Sequence, residues 1–184
     1  SPDGTGAYVA SLNSQAVAIF DRATDGTLTQ KAGNAGCISN NGSGGNCVKG
    51  KALDFPRTVA ISPDGKSAYV TSHKSNAVAV FGRATNGTLT QKAGTAGCIV
   101  DSANPITGCT NTGKALNGAY SVTISPDGTS AYVASFGSDA VAVFDRATDG
   151  TLAQKADPDG CIVDKDSTAI AGCDNTGRGL DYAQ

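Results

Sequence analysis

"ISPDGKSAYV" runs from Ile61 to Val70, "ISPDGTSAYV" from Ile124 to Val133, and "SPDGTGAYV" from Ser1 to Val9. Three near copies of one segment mark an internal repeat, and a repeat decides the architecture before any single element does. The copies open at Ser1, Ser62 and Ser125, 61 and 63 residues apart. Phe20, Phe81 and Phe144 keep those intervals, as do Leu28, Leu89 and Leu152, and Cys37, Cys98 and Cys161. Register therefore holds from SPDG to the first cysteine of each repeat, and length changes only after it.

Within a repeat four short strands are expected: "RTVAIS" (Arg57–Ser62), "SAYVTS" (Ser67–Ser72), "AVAVFGR" (Ala77–Arg83) and "TLTQKA" (Thr88–Ala93). Each is rich in Val, Ile, Thr, Tyr or Phe, or alternates with period two. Turn residues bound each of them. Pro presets φ in SPDG and Gly tolerates φ > 0. TDGT and TNGT carry Asp-Gly and Asn-Gly, the strongest short hairpin signal. Four antiparallel strands recurring about every 62 residues are the blades of an all-β propeller. One blade cannot cover its own faces, so Val59, Ile61, Tyr69, Val78, Val80, Phe81 and Leu89 are expected to pack between neighbours.

These residues resemble the lactonase-type β-propeller repeat. Its blades run through an SPDG turn, a "YV" strand, an "N-x-V-x-V-F" strand and a "T-x-G-x-L-T" hairpin, as "ISPDGKSAYVTSHKSNAVAVFGRATNGTLT" does here. The resemblance covers about 30 residues in each repeat and implies the blade type. It implies activity only loosely, because sugar-lactone hydrolases, lactonising enzymes and surface-layer proteins share the repeat. Lactone-acting propellers of this kind place His, Arg and carboxylates in the central channel. In this chain only Arg57 sits on an inner strand, with Tyr120 at its counterpart. The cysteine loops stand outside the general pattern.

The chain has 24 glycines in 184 residues, nearly twice the usual share of about 7%, which demands frequent turns and short elements. Net charge is −2, with no basic run to point to nucleic acid. No apolar stretch reaches the ~18 residues of a membrane span. There is no Met, which fits a processed or excised chain. The six cysteines pair within repeats as Cys37/Cys47, Cys98/Cys109 and Cys161/Cys173. An even count of this kind reads as local disulfides in a secreted or cell-surface protein. Zinc is the rival reading, but no C-x₂₋₄-C knuckle exists.

The whole chain, 1–184, reads as one propeller segment with repeats 1–61, 62–124 and 125–184. It is cut inside an inner strand, since "GLDYAQ" (Gly179–Gln184) aligns with "ALDFPR" (Ala52–Arg57) and "ALNGAY" (Ala115–Tyr120). Three blades cannot close a ring of the usual four to eight. The expectation is either further blades in a longer chain or head-to-tail self-association, a dimer giving six blades being favoured.

Strand order puts the SPDG and hairpin turns at one end of each blade. The loops "LNSQ" (Leu12–Gln15), "HKSN" (His73–Asn76) and "FGSD" (Phe136–Asp139) share the other end with the cysteine loops. The first end repeats itself and the second varies, so any ligand is expected at the variable end. The candidate ligand-binding residues are His73, Lys74, Asn76, Asp139 and Arg57. Catalytic residues are not expected: no Ser-His-Asp order or G-x-S-x-G elbow is present. No cofactor is expected beyond a calcium ion at Asp157, Asp159, Asp164 and Asp166, whose spacing fits no twelve-residue calcium loop. Arg22, Arg83 and Arg146 recur at one position and read as structural partners of a neighbouring blade. Two functions follow: a secreted binding or structural module, or a lactonase-like hydrolase whose active residues lie in other blades.

Overall fold

The computed structural model describes all 184 residues. The first sheet contains β1 (Gly6–Ser11), β2 (Ala16–Arg22), β3 (Leu28–Gln30), β4 (Cys37–Ser39) and β5 (Val48–Lys49). The second contains β6 (Pro56–Ile61), β7 (Ser67–Ser72), β8 (Ala77–Arg83), β9 (Leu89–Gln91), β10 (Cys98–Asp101) and β11 (Asn111–Gly113). The third repeats it with β12 (Ala119–Ile124), β13 (Ser130–Ser135), β14 (Ala140–Arg146), β15 (Leu152–Gln154), β16 (Cys161–Asp164) and β17 (Asn175–Gly177). The inner three strands of a blade form an antiparallel meander, in the order β6-β7-β8. The second and third strands fall at the residues that alternation and turn chemistry mark out.

The outer edge differs from the four-strand expectation. The fourth strand is split: β8 pairs with β9 near Arg83 and with β10 near Ala77. A short 3₁₀ turn, Gly94–Gly97, separates the two pieces. A fifth strand, β11, then runs parallel to β10. The disulfide Cys98–Cys109 holds this return, as Cys37–Cys47 and Cys161–Cys173 do in the other blades. Closing loops of 10 to 12 residues stabilises each by about 2–3 kcal/mol in the loop-entropy account.

The core lies between blades, not within them. Val17, Ile19 and Ile38 of the first blade pack on Val70, Phe81 and Leu89 of the second. Tyr69, Val80 and Ile99 of the second pack on Val133, Phe144 and Leu152 of the third. Val59 and Ile61 sit half-buried at the margin of the first layer. The inner strands are stitched by threonines: the Thr71 hydroxyl donates to the Tyr120 carbonyl at 2.7 Å, and Val122 N donates to Thr58 Oγ1 at 3.2 Å.

The recurring arginine bridges blades as its repetition implied. Arg146 donates to the Tyr69 hydroxyl (2.6 Å), the Gly128 carbonyl (3.0 Å) and the Asp64 carboxylate (2.9 Å). Arg83 makes the same set with Tyr8, Gly65 and Asp3. Each tyrosine hydroxyl donates onward to a hairpin carbonyl of the next blade, Tyr69 to Gly150 at 2.8 Å and Tyr8 to Gly87 at 2.7 Å. The SPDG turn thus presents an aspartate, the following strand a tyrosine, and the next blade the arginine that joins them.

Candidate functional site

At the opposite end of the blades the backbone is unusual. Phe55 and Tyr182 adopt φ of 58° and 53°, and the equivalent Gly118 adopts 67°. A bulky residue at positive φ is rare and strained, and such strain collects at sites the surrounding structure over-determines. Here it is fixed by hydrogen bonds. Asn76 Oδ1 accepts from Gly118 N at 2.7 Å, and Asp139 Oδ1 accepts from Tyr182 N at 2.8 Å. His73 N donates to the Phe55 carbonyl at 2.9 Å. Immediately afterwards the β6–β7 ladder slips between Pro56 and Thr58, so Arg57 sits at a bulge; Tyr120 does the same in β12.

That bulge aims the Arg57 guanidinium over the Tyr120 ring, 4.8 Å from its centroid, a cation–π contact between adjacent inner strands. The buried Arg57 Nε has no hydrogen-bond partner. The His73 ring lies 5.9 Å from Phe136, which lies 4.7 Å from Tyr182. Burial pushes the His73 imidazole below its usual range, and the charge of Arg57 pushes it further. At neutral pH the imidazole is therefore uncharged, able to accept a proton or a hydrogen bond.

Of the five candidate binding residues, His73 is tied by its N–H to the Phe55 carbonyl, two residues before Arg57, where the guanidinium charge acts on the imidazole. Lys74 is exposed, 5.0 Å from the Phe55 ring and 3.9 Å from Asp54. Asn76 and Asp139 are used internally: Asp139 Oδ2 also accepts from the Ser167 hydroxyl at 2.8 Å. Their recurrence at φ near +50° before the third strand was the available sign, since Asn and Asp tolerate that conformation. The four aspartates weighed for calcium do not converge. Asp164 accepts the N–H groups of Asp166 and Leu180, Asp157 pairs with Lys114, Asp159 meets Asn175, and Asp166 pairs with Lys165.

Sequence reasoning passed over Gln91 and Gln154. Gln91 Oε1 accepts from Lys51 N (2.8 Å), and its Nε2 donates to the Lys51 and Gly97 carbonyls (3.0 and 2.9 Å). Gln154 makes the same three bonds to Lys114 and Gly160. Their signal was recurrence: Gln30, Gln91 and Gln154 keep the repeat intervals.

The family sequence model described as lactonase, 7-bladed beta-propeller matches residues 51–158. The chain belongs to that family. A candidate 6-phosphogluconolactonase from Bacteroides fragilis superposes with a TM-score of 0.59 at 25% identity, over 82% of this chain and 35% of that one. Another from Bacteroides uniformis gives 0.58 at 25% identity, over 83% and 36%. A protein from Lactobacillus plantarum, at 0.55 and 23% identity over 83% and 38%, shares the fold. The chain spans little more than a third of the length of these structures. No curated protein matches it. No helix is long and apolar enough to cross a membrane, and three disulfides are compatible with an oxidising compartment.

Proposed function

We propose that this lactonase-family segment contributes a binding site for a small polar ligand of the sugar-acid or sugar-lactone class, in a secreted propeller. The observation that carries the reading is the Arg57 guanidinium braced over the Tyr120 ring with its buried Nε unpartnered; its charge also helps hold the His73 imidazole neutral. A guanidinium suits a carboxylate, a phosphate or the oxygen of a polarised lactone carbonyl. The neutral His73 adds a hydrogen bond to a hydroxyl. Secretion is supported by the disulfide in every blade.

Hydrolysis is a second reading, supported by family membership and by the names of the two Bacteroides structures. In that reaction water adds to the lactone carbonyl, the ring C–O bond breaks, and the ring oxygen leaves with a proton as a hydroxyl. His73 could take the proton from water, and Arg57 could hold the oxyanion. The outer faces of the first and third blades are proposed to be met by blades of the same design. The seven-bladed family supports that arrangement over a six-bladed pair.

Titration calorimetry with gluconate and a pH-indicator assay with glucono-1,5-lactone separate the readings. Binding by the parent that Arg57→Gln abolishes, without turnover, supports the binding role. Turnover that Arg57→Gln and His73→Ala both remove establishes hydrolysis. Neither binding nor turnover in the parent overturns both.

A further inference from the structure

Two grooves of the same build open at the variable end, one at each joint between blades, and they differ in charge. The groove between the second and third blades holds about 290 Å³ and carries Asp101, Asp139 and Lys114. Its lysine is paired with Asp157 at 2.6 Å. The groove between the first and second blades holds about 500 Å³ and carries Lys49, Lys51 and Lys74 with one carboxylate, Asp54. In the repeat register Asn40 replaces Asp101, Lys49 stands where Thr112 does, and Lys74 where Gly137 does. No carboxylate pairs with Lys49 or Lys51, and Lys74 reaches Asp54 only at 3.9 Å.

We propose that the groove between the first and second blades binds a stretch of acidic polysaccharide, its carboxylate or sulfate groups meeting Lys49, Lys51 and Lys74. The chain as a whole is acidic, with net charge −2, so three cations gathered in one cleft with a single carboxylate are a local reversal of sign. Such a cleft focuses attraction on an anion. The rest of its lining selects among polyanions. Asn40 and Thr107 offer an amide and a hydroxyl suited to sugar hydroxyls. No aromatic ring lines it, so nucleic-acid bases would have nothing to stack on. Ala52 and Ile106 are its apolar residues, too little to anchor the side chains of a peptide. Gly108, at φ +83°, lets the Lys51 stem lie against the loop: a Cβ there would stand 3.1 Å from Lys51 Cδ.

The test is binding of polygalacturonate, dextran sulfate, neutral dextran and poly-glutamate to the 184-residue chain, by fluorescence anisotropy at low and physiological salt. The expected result is binding of at least one of the two acidic polysaccharides that weakens with salt, with neutral dextran and poly-glutamate bound at least about tenfold less tightly. The variant with Lys49, Lys51 and Lys74 all changed to Gln should lose about tenfold in affinity, the sum of three solvent-screened ion pairs. Lys114→Gln, in the other groove, should bind as the parent does. Circular dichroism keeps a folding defect in the triple variant from counting as lost binding; if it is misfolded, the three single Gln variants must each weaken binding. The proposal is overturned if neither acidic polysaccharide binds, if the lysine variants bind as the parent does, or if poly-glutamate binds equally well.

Discussion

Arg83 and Arg146 stand at joints between blades, and Arg22, at the same place in the repeat, stands at an outer face. The first two side chains are 3% and 5% exposed, and each bonds to a tyrosine and an aspartate of the preceding blade as well as to a carbonyl of its own. Arg22 is exposed and keeps one bond, to its own blade's Gly4 carbonyl. The complementary half is seen at the far side, where Tyr132, the counterpart of Tyr69, is exposed and Asp127 has no arginine. Leu28 is 50% exposed where Leu89 is 6%. The repeat is thus not a self-sufficient unit. Each copy holds one half of a joint on each face, and the energy sits where two copies meet.

The sharpest way to break this comparison is to delete the arginine in both settings. Arg146→Ala removes the bonds to Asp64, Tyr69 and Gly128 and takes a buried guanidinium out of the joint, leaving the Tyr69 hydroxyl and the Gly128 carbonyl without their charged donor. It should cost about 2–3 kcal/mol, since taking away a charged donor leaves partly buried acceptors unsatisfied. Arg22→Ala should stay within about 0.5 kcal/mol, the usual range for a surface change. Urea melts with unchanged slope would read both. Equal midpoints for the two variants would mean that the joint contributes nothing beyond apolar packing.

The next contrast uses glycine at one hairpin position. Gly150 and Gly26 have φ of 87° and 92°, so alanine strains both by about 1 kcal/mol. Only at the joint does it also collide: a Cβ on Gly150 would lie 2.0 Å from Ser67 Oγ and 3.0 Å from Ser67 Cβ, while Gly26 meets nothing nearer than Arg22 at 3.7 Å. Gly150→Ala should therefore destabilise by about 1 kcal/mol more than Gly26→Ala in the same melts. The reverse order would show that the hairpin is held locally rather than by its neighbour.

The joint is also where the sequence was most legible, and the outer edge where it was least. Strands Ser67–Ser72 and Ala77–Arg83 announce themselves by alternation and by the turns that bound them. The fourth strand was read as Thr88–Ala93, whereas it ends at Gln91. The chain turns because Gly97 allows it: a Cβ there would stand 2.2 Å from the Lys92 carbonyl. Gln91 then closes the turn with a side-chain bond that no hydrophobic pattern records. The parallel strand Asn111–Gly113 has three residues and no apolar alternation, so only the disulfide beside it hinted at a return. In the site, Arg57 and His73 were each visible as residue types. Their placement depends on a bulge after Pro56 and on a left-handed Phe55 whose carbonyl takes the His73 N–H, neither of which periodicity encodes.

Acid should distinguish the joined aspartate from the free one more gently. Burial by itself would raise the Asp64 carboxyl, but the Ser62 hydroxyl, the Lys66 N–H and Arg146 outweigh it and bring it down to about 2. Asp127 is also lowered, first by the Ser125 hydroxyl and then by Thr129, with no arginine. A carboxyl depressed on folding contributes stability that is present above its unfolded value, 3.8, and is lost as pH falls toward its folded value. Asp64→Asn should flatten the loss of stability between about pH 4 and pH 2 more than Asp127→Asn does. The difference should stay below about 1 kcal/mol, because the Asp64 side chain is 36% exposed and screened. Identical acid limbs for the two variants would remove Arg146 from the account of the Asp64 shift.

The smallest effect is expected at the variable end, where the comparison is between His73 and its third-blade counterpart Phe136. His73→Phe installs the side chain that the fold already accepts at that position, next to the same ring. Stability at pH 7.5 should change by less than about 1 kcal/mol, as for a size-tolerant swap at a half-buried loop. The pH dependence should change sign-specifically. His73 is pushed down by burial first and by Arg57 second, so the folded state resists its protonation. The stability this confers is present above the unfolded histidine value of about 6.5 and is lost as pH falls through it. His73→Phe removes that loss, so the variant should gain on the parent between pH 7.5 and pH 5 in thermal melts. A parent that instead gains on the variant in acid would mean that the imidazole takes up a proton readily and has an anionic partner. The neutral base assigned to the site would then not exist.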